Sequence, residues 1–411
     1  MKKFISTLFF IKLFLKILLL VFDYLGDESA ETLEKIFRYF TKEDLELGIS
    51  YARAGFPLYL SYAVFKDLLL FWLLWTGSFL VLQDYCLQIT NSKLYRNLFF
   101  FLIIYFFDYF LTLPLSYYSE FYIEHKSGFS NMSLKFWIWT ELKSIFISCP
   151  IFILSSSLIV WAINSFKKYW FFIVPTGGLV FGIFTTLLYP IIILPIFYKI
   201  QPLEEGKLKE EIFLLTKKTE IEFSEVYIIE ESEYSKHTNA FFIGFGNNKK
   251  IYLYDNLLKT HTPQEIISIL AHEIGHWKYD HNLKGIILSF IGSLSLFWLL
   301  KFVYDKLKNT YFPMTLRSSP SNVLLLFFLF KIFFFFISPL ESIVSREMEK
   351  QADLYELQTL NDPETFISVE VKMAKENRSR LNPHPISSFF WNSHPTTLER
   401  IEMAENYKKF K

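Results

Sequence analysis

Residues 262–277 read T-P-Q-E-I-I-S-I-L-A-H-E-I-G-H-W, and this stretch fixes the centre of the fold. Thr262 is predicted to cap a helix, with Pro263 at its first position and Glu265 closing a capping box. The helix then carries an apolar face formed by Ile266, Ile267, Ile269, Leu270 and Ile274.

The same helix carries a metal-binding pattern, His272-Glu273-Ile274-Gly275-His276. Imidazoles four residues apart share a helix face and can hold one zinc ion, with Glu273 beside its open position. This pattern is typical of a zinc hydrolase in which water is the nucleophile. The chain has 8 histidines in 411 residues, so chance produces the pattern in roughly one such chain in a hundred. The alternative is two core or surface histidines on an ordinary helix.

The surrounding chain is strongly apolar, with 52% hydrophobic residues and 48 phenylalanines. A run of roughly 20 apolar residues is long enough to cross a bilayer. The first run is interpreted as a retained helix rather than a signal peptide, because Lys12 and Lys16 interrupt it. About seven spans are predicted, near Phe4–Leu25, Phe56–Leu82, Leu98–Tyr118, Ile145–Phe166, Trp170–Tyr198, Gly285–Val303 and Val323–Ser342.

The second run contains Lys66 and Asp67, and Asp108 and Lys331 lie inside the third and seventh runs. Charged groups within spans are costly and usually face the bundle interior or water. The sequence leaves two explanations open, a water-containing chamber or ion pairs between packed helices.

Two polar stretches, Lys199–Lys284 and Glu341–Lys411, flank the sixth and seventh spans. Because two spans separate them, both emerge on the same side of the membrane and can form one small α+β zinc-protease domain. The expected fold is therefore an all-α membrane protein with this domain attached. Its predicted parts are residues 1–198 (spans one to five), 199–284 (hairpin and zinc helix), 285–342 (spans six and seven) and 343–411 (the rest of the zinc domain).

A catalytic zinc ion needs a third protein ligand. His281 follows His276 too closely to return easily to the same ion. Glu349 and Asp353, four residues apart on a predicted helix, share a face. One carboxylate can bind zinc while the other accepts a hydrogen bond from a ligating imidazole. The alternative is a solvated charged helix. The two cysteines, Cys86 and Cys149, lie in or beside spans and make neither a disulfide framework nor a zinc site.

Glu273 is the candidate general base, taking a proton from water and passing it to the leaving amine. The oxyanion of the transition state needs a hydrogen-bond donor. His394 and Arg400 are candidates, and His384 is a weaker one, although a lone histidine is more often structural or exposed.

A β-hairpin is predicted just before the zinc helix. Its strands are Asn239–Phe245 and Lys250–Tyr254, and Gly246-Asn247-Asn248-Lys249 is the turn signal. An exposed edge here could pair with an extended peptide, or the hairpin could only support the helix.

Together these motifs resemble the type I CaaX prenyl protease family, integral-membrane zinc endopeptidases that process prenylated C termini. The resemblance spans nearly the whole chain. The matching motifs are Leu270–Trp277 for the zinc helix, Ser345-Arg346 with Glu349 and Gln351-Ala352-Asp353, Ser393-His394-Pro395 with Leu398-Glu399-Arg400, Asn239–Phe242, Glu124–Phe129 and Gln201-Pro202-Leu203.

The resemblance implies about seven helices enclosing a large water-filled chamber with one Zn²⁺ per chain at its mouth. It implies that Glu349 is the third ligand and that Asp353 supports a ligating histidine. It assigns His394 and Arg400 to substrate and transition-state contacts, and Asn239-Ala240 to a strand edge that holds the peptide.

The implied function is C-terminal CaaX processing of prenylated proteins or peptides, with membrane lipid as a further partner. One alternative keeps the chemistry but takes non-prenylated substrates, as in quality control of membrane proteins. The other is a non-catalytic scaffold or transporter, against which the intact Glu273 argues. A net charge of +1 implies no affinity for nucleic acid.

The chain is expected to be a multi-pass protein of the endoplasmic reticulum membrane in a eukaryote, or of the inner membrane in a bacterium. The C-terminal Lys408-Lys409-Phe410-Lys411 has the form of a retrieval signal, which a lysine-rich tail also produces by chance. The family implies a cytoplasmic zinc domain. The positive-inside rule instead places the opposite side in the cytoplasm, because that side carries Lys2, Lys3, Lys93, Arg96, Lys167, Lys168, Lys301, Lys306, Lys308 and Arg317.

Overall fold

The computed structural model describes residues 2–26, 29–221, 225–244, 249–307 and 320–409. Seven helical segments in these ranges are long and apolar enough to cross a membrane, as predicted. The helices before the first strand are α1 (Lys2–Leu25), α2 (Ala30–Ile36), α3 (Lys42–Ala54), α4 (Phe56–Thr76), α5 (Ser78–Ile89), α6 (Lys93–Ser116), α7 (Glu124–Lys126), α8 (Leu134–Ser165), α9 (Trp170–Leu188) and α10 (Leu194–Phe197).

The remaining elements form the polar domain and the last two spans. The strands are β1 (Ile200–Pro202), β2 (Glu225–Ile229), β3 (Ala240–Ile243) and β4 (Lys250–Tyr254). The helices are α11 (Lys207–Thr219), α12 (Asp255–Thr260), α13 (Pro263–Lys278), α14 (His281–Leu307), α15 (Ser321–Leu360), α16 (Pro363–Glu376), α17 (Pro385–Trp391) and α18 (Thr397–Lys409).

The second span differs from its predicted bounds. Gly77 adopts a left-handed conformation with φ of 73° and ends α4, so the span stops at Thr76 rather than at Leu82. At its other end, α3 runs almost directly into α4 and extends the apolar segment back to Lys42. The left-handed conformation is available to glycine without steric cost, which explains the break.

The third span is longer than predicted. A π-helical stretch, Tyr117–Ile123, follows α6 and joins it to the short α7, so the apolar segment ends at Lys126 rather than at Tyr118. The polar residues after Tyr118 indicate the end of the span, but the π-helix keeps the chain helical through them.

Asp67 lies at the centre of a buried ion cluster within the membrane core. Its carboxylate lies 2.5 Å from Lys12 Nζ, 2.6 Å from Lys331 Nζ and 3.2 Å from Lys16 Nζ. These three lysines come from α1 and α15, so the cluster ties both helices to α4. Ion pairs between packed helices therefore account for this buried carboxylate.

A cavity of about 600 Å³ lies inside the helical bundle. Its walls are mostly apolar, but Lys331, Lys66 and Asp108 also line it, and the last two are ion-paired with each other. The ion pairs expected between packed helices are therefore present, and three of the charged residues also line an internal space. The described residues that line the cavity do not include the histidines of α13.

The polar domain is built around the predicted apolar face of α13. Ile266, Leu270 and Ile274 are buried against the sheet and α11. The sheet has the order β1-β2-β4-β3, with β2 parallel to β4 and the outer strands antiparallel to their neighbours.

The predicted hairpin is present, since β3 pairs antiparallel with β4 and Ala240 lies opposite Leu253. Residues 246–248 of its turn signal lie outside the described residues. Phe410 and Lys411 of the C-terminal tetrapeptide lie outside them as well.

His261, between α12 and α13, should make folding stability depend on pH. Burial, reinforced by the nearby charge of Lys372, lowers the pKa of His261 from 6.5 to about 4. The unfolded chain therefore takes up a proton on this residue at a higher pH than the folded chain does. The stability is present above about pH 6.5 and is lost as the pH falls towards about 4.

Thermal unfolding in detergent with a chelator present checks this expectation between pH 7 and pH 4.5. The melting temperature of His261→Phe should fall less over this range than that of the unmodified chain. Equal slopes for the two proteins would contradict it.

Candidate active site

The zinc helix begins as its sequence predicts. Thr262 Oγ1 accepts a hydrogen bond from Glu265 N at 3.3 Å, and Glu265 accepts one from Thr262 N at 2.8 Å. This capping box fixes the start of α13, so His272 and His276 lie on the third and fourth turns of a helix whose opposite face is buried.

Three potential ligand side chains converge between α13 and α15. The Nε2 atoms of His272 and His276 lie 3.2 Å apart. The Glu349 carboxylate approaches both, with Oε2 3.3 Å from Nε2 of His272 and Oε1 3.5 Å from Nε2 of His276. The structure thus brings together the three residues that the sequence and the resemblance proposed as metal ligands.

This arrangement fits a tetrahedral zinc ion. Zinc bonds to nitrogen and carboxylate oxygen measure about 2.0–2.1 Å, so two ligands of one tetrahedral ion lie about 3.3 Å apart. The three observed separations of 3.2, 3.3 and 3.5 Å all lie close to that value. Oε2 of Glu349 is buried and forms no hydrogen bond with the described residues; apart from the ion-pair contact with His272, it is available to a cation.

The electrostatics of the site also favour a positive charge. Burial opposes a charged imidazole at His272, but its contacts with the carboxylates of Asp353 and Glu349 outweigh this effect. The pKa of His272 therefore lies well above its usual value. The same two carboxylates that favour an imidazolium also favour a bound metal cation.

Asp353 orients His272. Its Oδ1 lies 2.7 Å from Nδ1 of His272, which directs the Nε2 lone pair towards Glu349. The carboxylate is fully buried and is balanced by Arg400, whose Nε lies 2.9 Å from Oδ2. Arg400 also lies 2.6 Å from Glu370 of α16. The guanidinium is thus held between two buried carboxylates.

His394 lies beside the ligand set. Its Nε2 is 3.4 Å from Oε1 of Glu349, and its side chain is 61% exposed. A cavity of about 420 Å³ borders both His394 and Arg400. An exposed imidazole next to the candidate metal ligands is placed where it could donate a hydrogen bond to a substrate. His384, the weaker candidate, stacks on Phe22 of α1 instead.

Glu273 follows His272 directly on α13. Burial raises the pKa of its carboxyl above the usual value. A carboxylate with a raised pKa is a stronger proton acceptor, which suits a general base.

The strand β3 lies at an edge of the sheet. The carbonyl of Asn239 accepts a hydrogen bond from Tyr254 N at 3.0 Å, so residue 239 faces β4. Because successive residues of a strand alternate, the backbone groups of Ala240 face the free edge. Ala240 N lies 2.9 Å from Oδ1 of Asn239. Ala240 itself is buried against the α13 core, so the hairpin also supports the zinc helix.

Gly275 allows α13 and α15 to approach closely. A Cβ atom at this position would lie 2.9 Å from Cα and 3.1 Å from the carbonyl oxygen of Ala352. Both of these are backbone atoms, so a side chain at position 275 would push the two helices apart. Ala352 lies between the sequence positions of Glu349 and Asp353, and the contact therefore sets the distance between the ligand helices.

We expect Gly275→Val to cost about 1–3 kcal/mol of stability, as overpacking in a tight core does. It should also weaken metal binding, because Glu349 moves away from the histidines. Chelator competition and thermal unfolding measure the two effects. Gly285→Val is the matched control, since a Cβ at Gly285 meets no atom within 4 Å. Equal behaviour of the two variants would contradict the expectation.

Sequence reasoning missed two residues of this site. His281 contacts His276, and Gln351 contacts His281, whereas the sequence indicates His281 only as a rejected metal ligand and Gln351 only as part of a motif. The five-residue separation of His276 and His281 was the available signal.

Comparison with known proteins places the chain in a family. Residues 202–408 match the model of peptidase family M48, and residues 25–199 match the model described as CAAX prenyl protease N-terminal, five membrane helices. The chain belongs to peptidase family M48. This M48 chain is therefore a multi-pass membrane metallopeptidase, with its site on the part of the chain that carries the peptidase match.

Relatives of this M48 chain align over most of its length. It is 28% identical to CAAX prenyl protease 1 homolog of Mus musculus, over 77% of the chain and 75% of that protein. It is 31% identical to CAAX prenyl protease 1 of Saccharomyces cerevisiae, over 71% of the chain and 68% of that protein. The crystal structure of S. mikatae Ste24p has the same fold, with a TM-score of 0.87, 24% identity and 98% coverage of both chains.

Proposed function

We propose that this chain is a zinc endopeptidase of the membrane that cleaves near the C terminus of prenylated CaaX proteins or peptides. The observation that carries the proposal is the convergence of His272, His276 and Glu349 at the spacing of one tetrahedral ion. The relatives named CAAX prenyl protease 1 support the substrate class. The apolar internal cavity of about 600 Å³ supports a substrate that carries a lipid group.

The residues divide the chemistry between them. The two histidines and Glu349 would hold a zinc ion, which would supply Lewis-acid chemistry for the scissile carbonyl and for water. Glu273 takes a proton from the attacking water and delivers it to the leaving amine. His394 donates a hydrogen bond to the oxygen of the tetrahedral intermediate. Arg400 neutralises Asp353, which in turn keeps His272 in its ligating orientation.

The peptide is held as an added strand. Asn239 and Ala240 lie at the start of β3, where Ala240 turns its backbone groups to the free edge. An extended chain paired there gains backbone hydrogen bonds irrespective of its side chains. Because backbone pairing does not depend on side chains, the choice of peptide substrate is left to the groups at its ends, among them the lipid.

The test uses purified protein in detergent with a farnesylated CaaX peptide and the same peptide without the lipid. We expect one zinc ion per chain by elemental analysis and cleavage of the farnesylated peptide alone. A chelator should abolish the cleavage and added zinc should restore it. Equal cleavage of both peptides would favour a protease with non-prenylated substrates. Cleavage of neither peptide by zinc-loaded protein would indicate a non-catalytic role.

A further inference from the structure

We propose that His281 is a positioning residue of the active site: held by Gln351, it fixes which ring nitrogen of His276 faces the metal. This inference rests on the proposed metal site but not on the identity of the peptide substrate. It concerns a histidine that is buried and that makes none of the convergent ligand contacts between His272, His276 and Glu349.

The turn after α13 brings His281 back to His276. Asp280 adopts a left-handed conformation with φ of 54°, and α14 begins immediately afterwards. The chain changes direction at this residue, so His281 contacts α13 although it opens a different helix. Its Nδ1 lies 3.0 Å from Nδ1 of His276. On the other side of the ring, Nε2 lies 3.2 Å from Oε1 of Gln351.

These two contacts fix the positions of the protons. Oε1 of Gln351 is an acceptor, so Nε2 of His281 carries the hydrogen that is donated to it. In a neutral imidazole the other nitrogen then has a lone pair. Nδ1 of His281 must accept, and Nδ1 of His276 must donate. The Nε2 lone pair of His276 is left free and points towards His272 and Glu349, where a cation would bind.

The two ligating histidines are therefore oriented by chemically different partners. His272 has the charged carboxylate of Asp353, whereas His276 has a neutral imidazole. Both supports depend on α15, because Glu349, Gln351 and Asp353 lie within five consecutive residues of it. One short segment thus supplies the third ligand and orients the other two. Groups that hold a metal-binding imidazole in this way typically contribute a 10–100-fold increase in metal affinity.

The experiment measures the affinity of the full-length protein in detergent for Zn²⁺ alone, by competition with a chelator of known affinity. His281→Phe keeps a ring of similar size but removes the acceptor. We expect its affinity for Zn²⁺ to fall by about 10–100-fold. His281→Gln restores an acceptor and a donor and should bind zinc within about threefold of the unmodified chain, which a purely structural role would not predict.

Variants of Gln351 test the hydrogen bond between Gln351 and His281. Gln351→Leu removes the acceptor and should weaken zinc binding, whereas Gln351→Glu keeps it and should not. His384→Phe is the matched histidine control, because this ring stacks on Phe22 of α1 rather than on His276 or Gln351. The melting temperature of each metal-free variant shows whether the fold is preserved.

Two outcomes would overturn the proposal. One is unchanged zinc affinity in His281→Phe. The other is an equal loss in His281→Phe and His281→Gln at equal melting temperatures. An unmodified chain that binds no zinc would overturn this inference together with the metal site. Failure to cleave a prenylated peptide with zinc bound would leave this inference intact and overturn only the proposed substrate.

Discussion

Replacing Glu273 with Gln should lower the rate of peptide hydrolysis by about 10²–10⁴-fold, the usual contribution of a positioned general base. The amide has nearly the same shape as the carboxylate but cannot take a proton from water. Because Glu273 is not one of the three convergent ligand residues, the variant should still bind one metal ion. The loss should therefore appear in kcat with little change in metal content.

The measurement is cleavage of a fluorescent peptide, with metal content determined on the same preparation. Glu347→Gln is the control, because it removes an exposed carboxylate of α15 near the site. Turnover by Glu273→Gln within tenfold of the unmodified rate would reject Glu273 as the base. Loss of metal from this variant would instead assign it a role in binding.

The second large effect is expected for Glu349→Ala. This change removes one of three ligands and leaves two imidazoles, which do not complete a catalytic zinc site. We expect zinc affinity to fall by more than about 100-fold, beyond the 10–100-fold cost typical of losing a group that only supports a ligand. Peptide hydrolysis should be lost at ordinary zinc concentrations.

Glu347→Ala tests whether the effect is specific, since it removes a carboxylate from the same helix two residues away. It should bind zinc and cleave peptide normally. If Glu349→Ala keeps full zinc affinity, the ligand set proposed here is wrong. If high zinc restores its activity, the residue contributes to affinity rather than to the reaction itself.

Much of the fold could be predicted from local patterns. The start of α13 follows from Thr262, Pro263 and Glu265, and its buried face follows from the spacing of its isoleucines and leucines. The seven apolar segments follow from length and hydropathy. The helix start and its buried face depend on residues close in sequence. The apolar segments depend on the match between their side chains and the hydrocarbon of a bilayer.

The bounds of the second and third spans could not be predicted, because hydropathy does not report backbone conformation. Phe79 and Leu80 are as apolar as the residues before them, yet Gly77 turns the chain. The ion cluster around Asp67 could not be predicted from the sequence either. Its lysines come from helices far apart in sequence, and nothing in their spacing indicates that they meet.

The candidate site, too, was partly predictable from the sequence and partly not. The histidines of α13 could be found from their spacing, but spacing alone did not choose between Glu349 and Asp353 as the ligand. The structure distinguishes them by geometry, since Glu349 approaches Nε2 of both histidines while Asp353 contacts Nδ1 of His272. The pairing of His276 with His281 depends on the backbone at Asp280, which sequence reasoning did not consider.

The length of α15 has a mechanical consequence. Its 40 residues span about 60 Å, roughly twice the hydrocarbon thickness of a bilayer. The same helix, which contains Pro339 but no break, carries Lys331, ion-paired with Asp67 of α4, and Glu349 of the candidate site. Tilting this helix in a thinner or thicker bilayer would carry Glu349 along with it. We therefore expect the thickness of the bilayer to change the geometry of the site, because no loop separates Lys331 from Glu349 on α15.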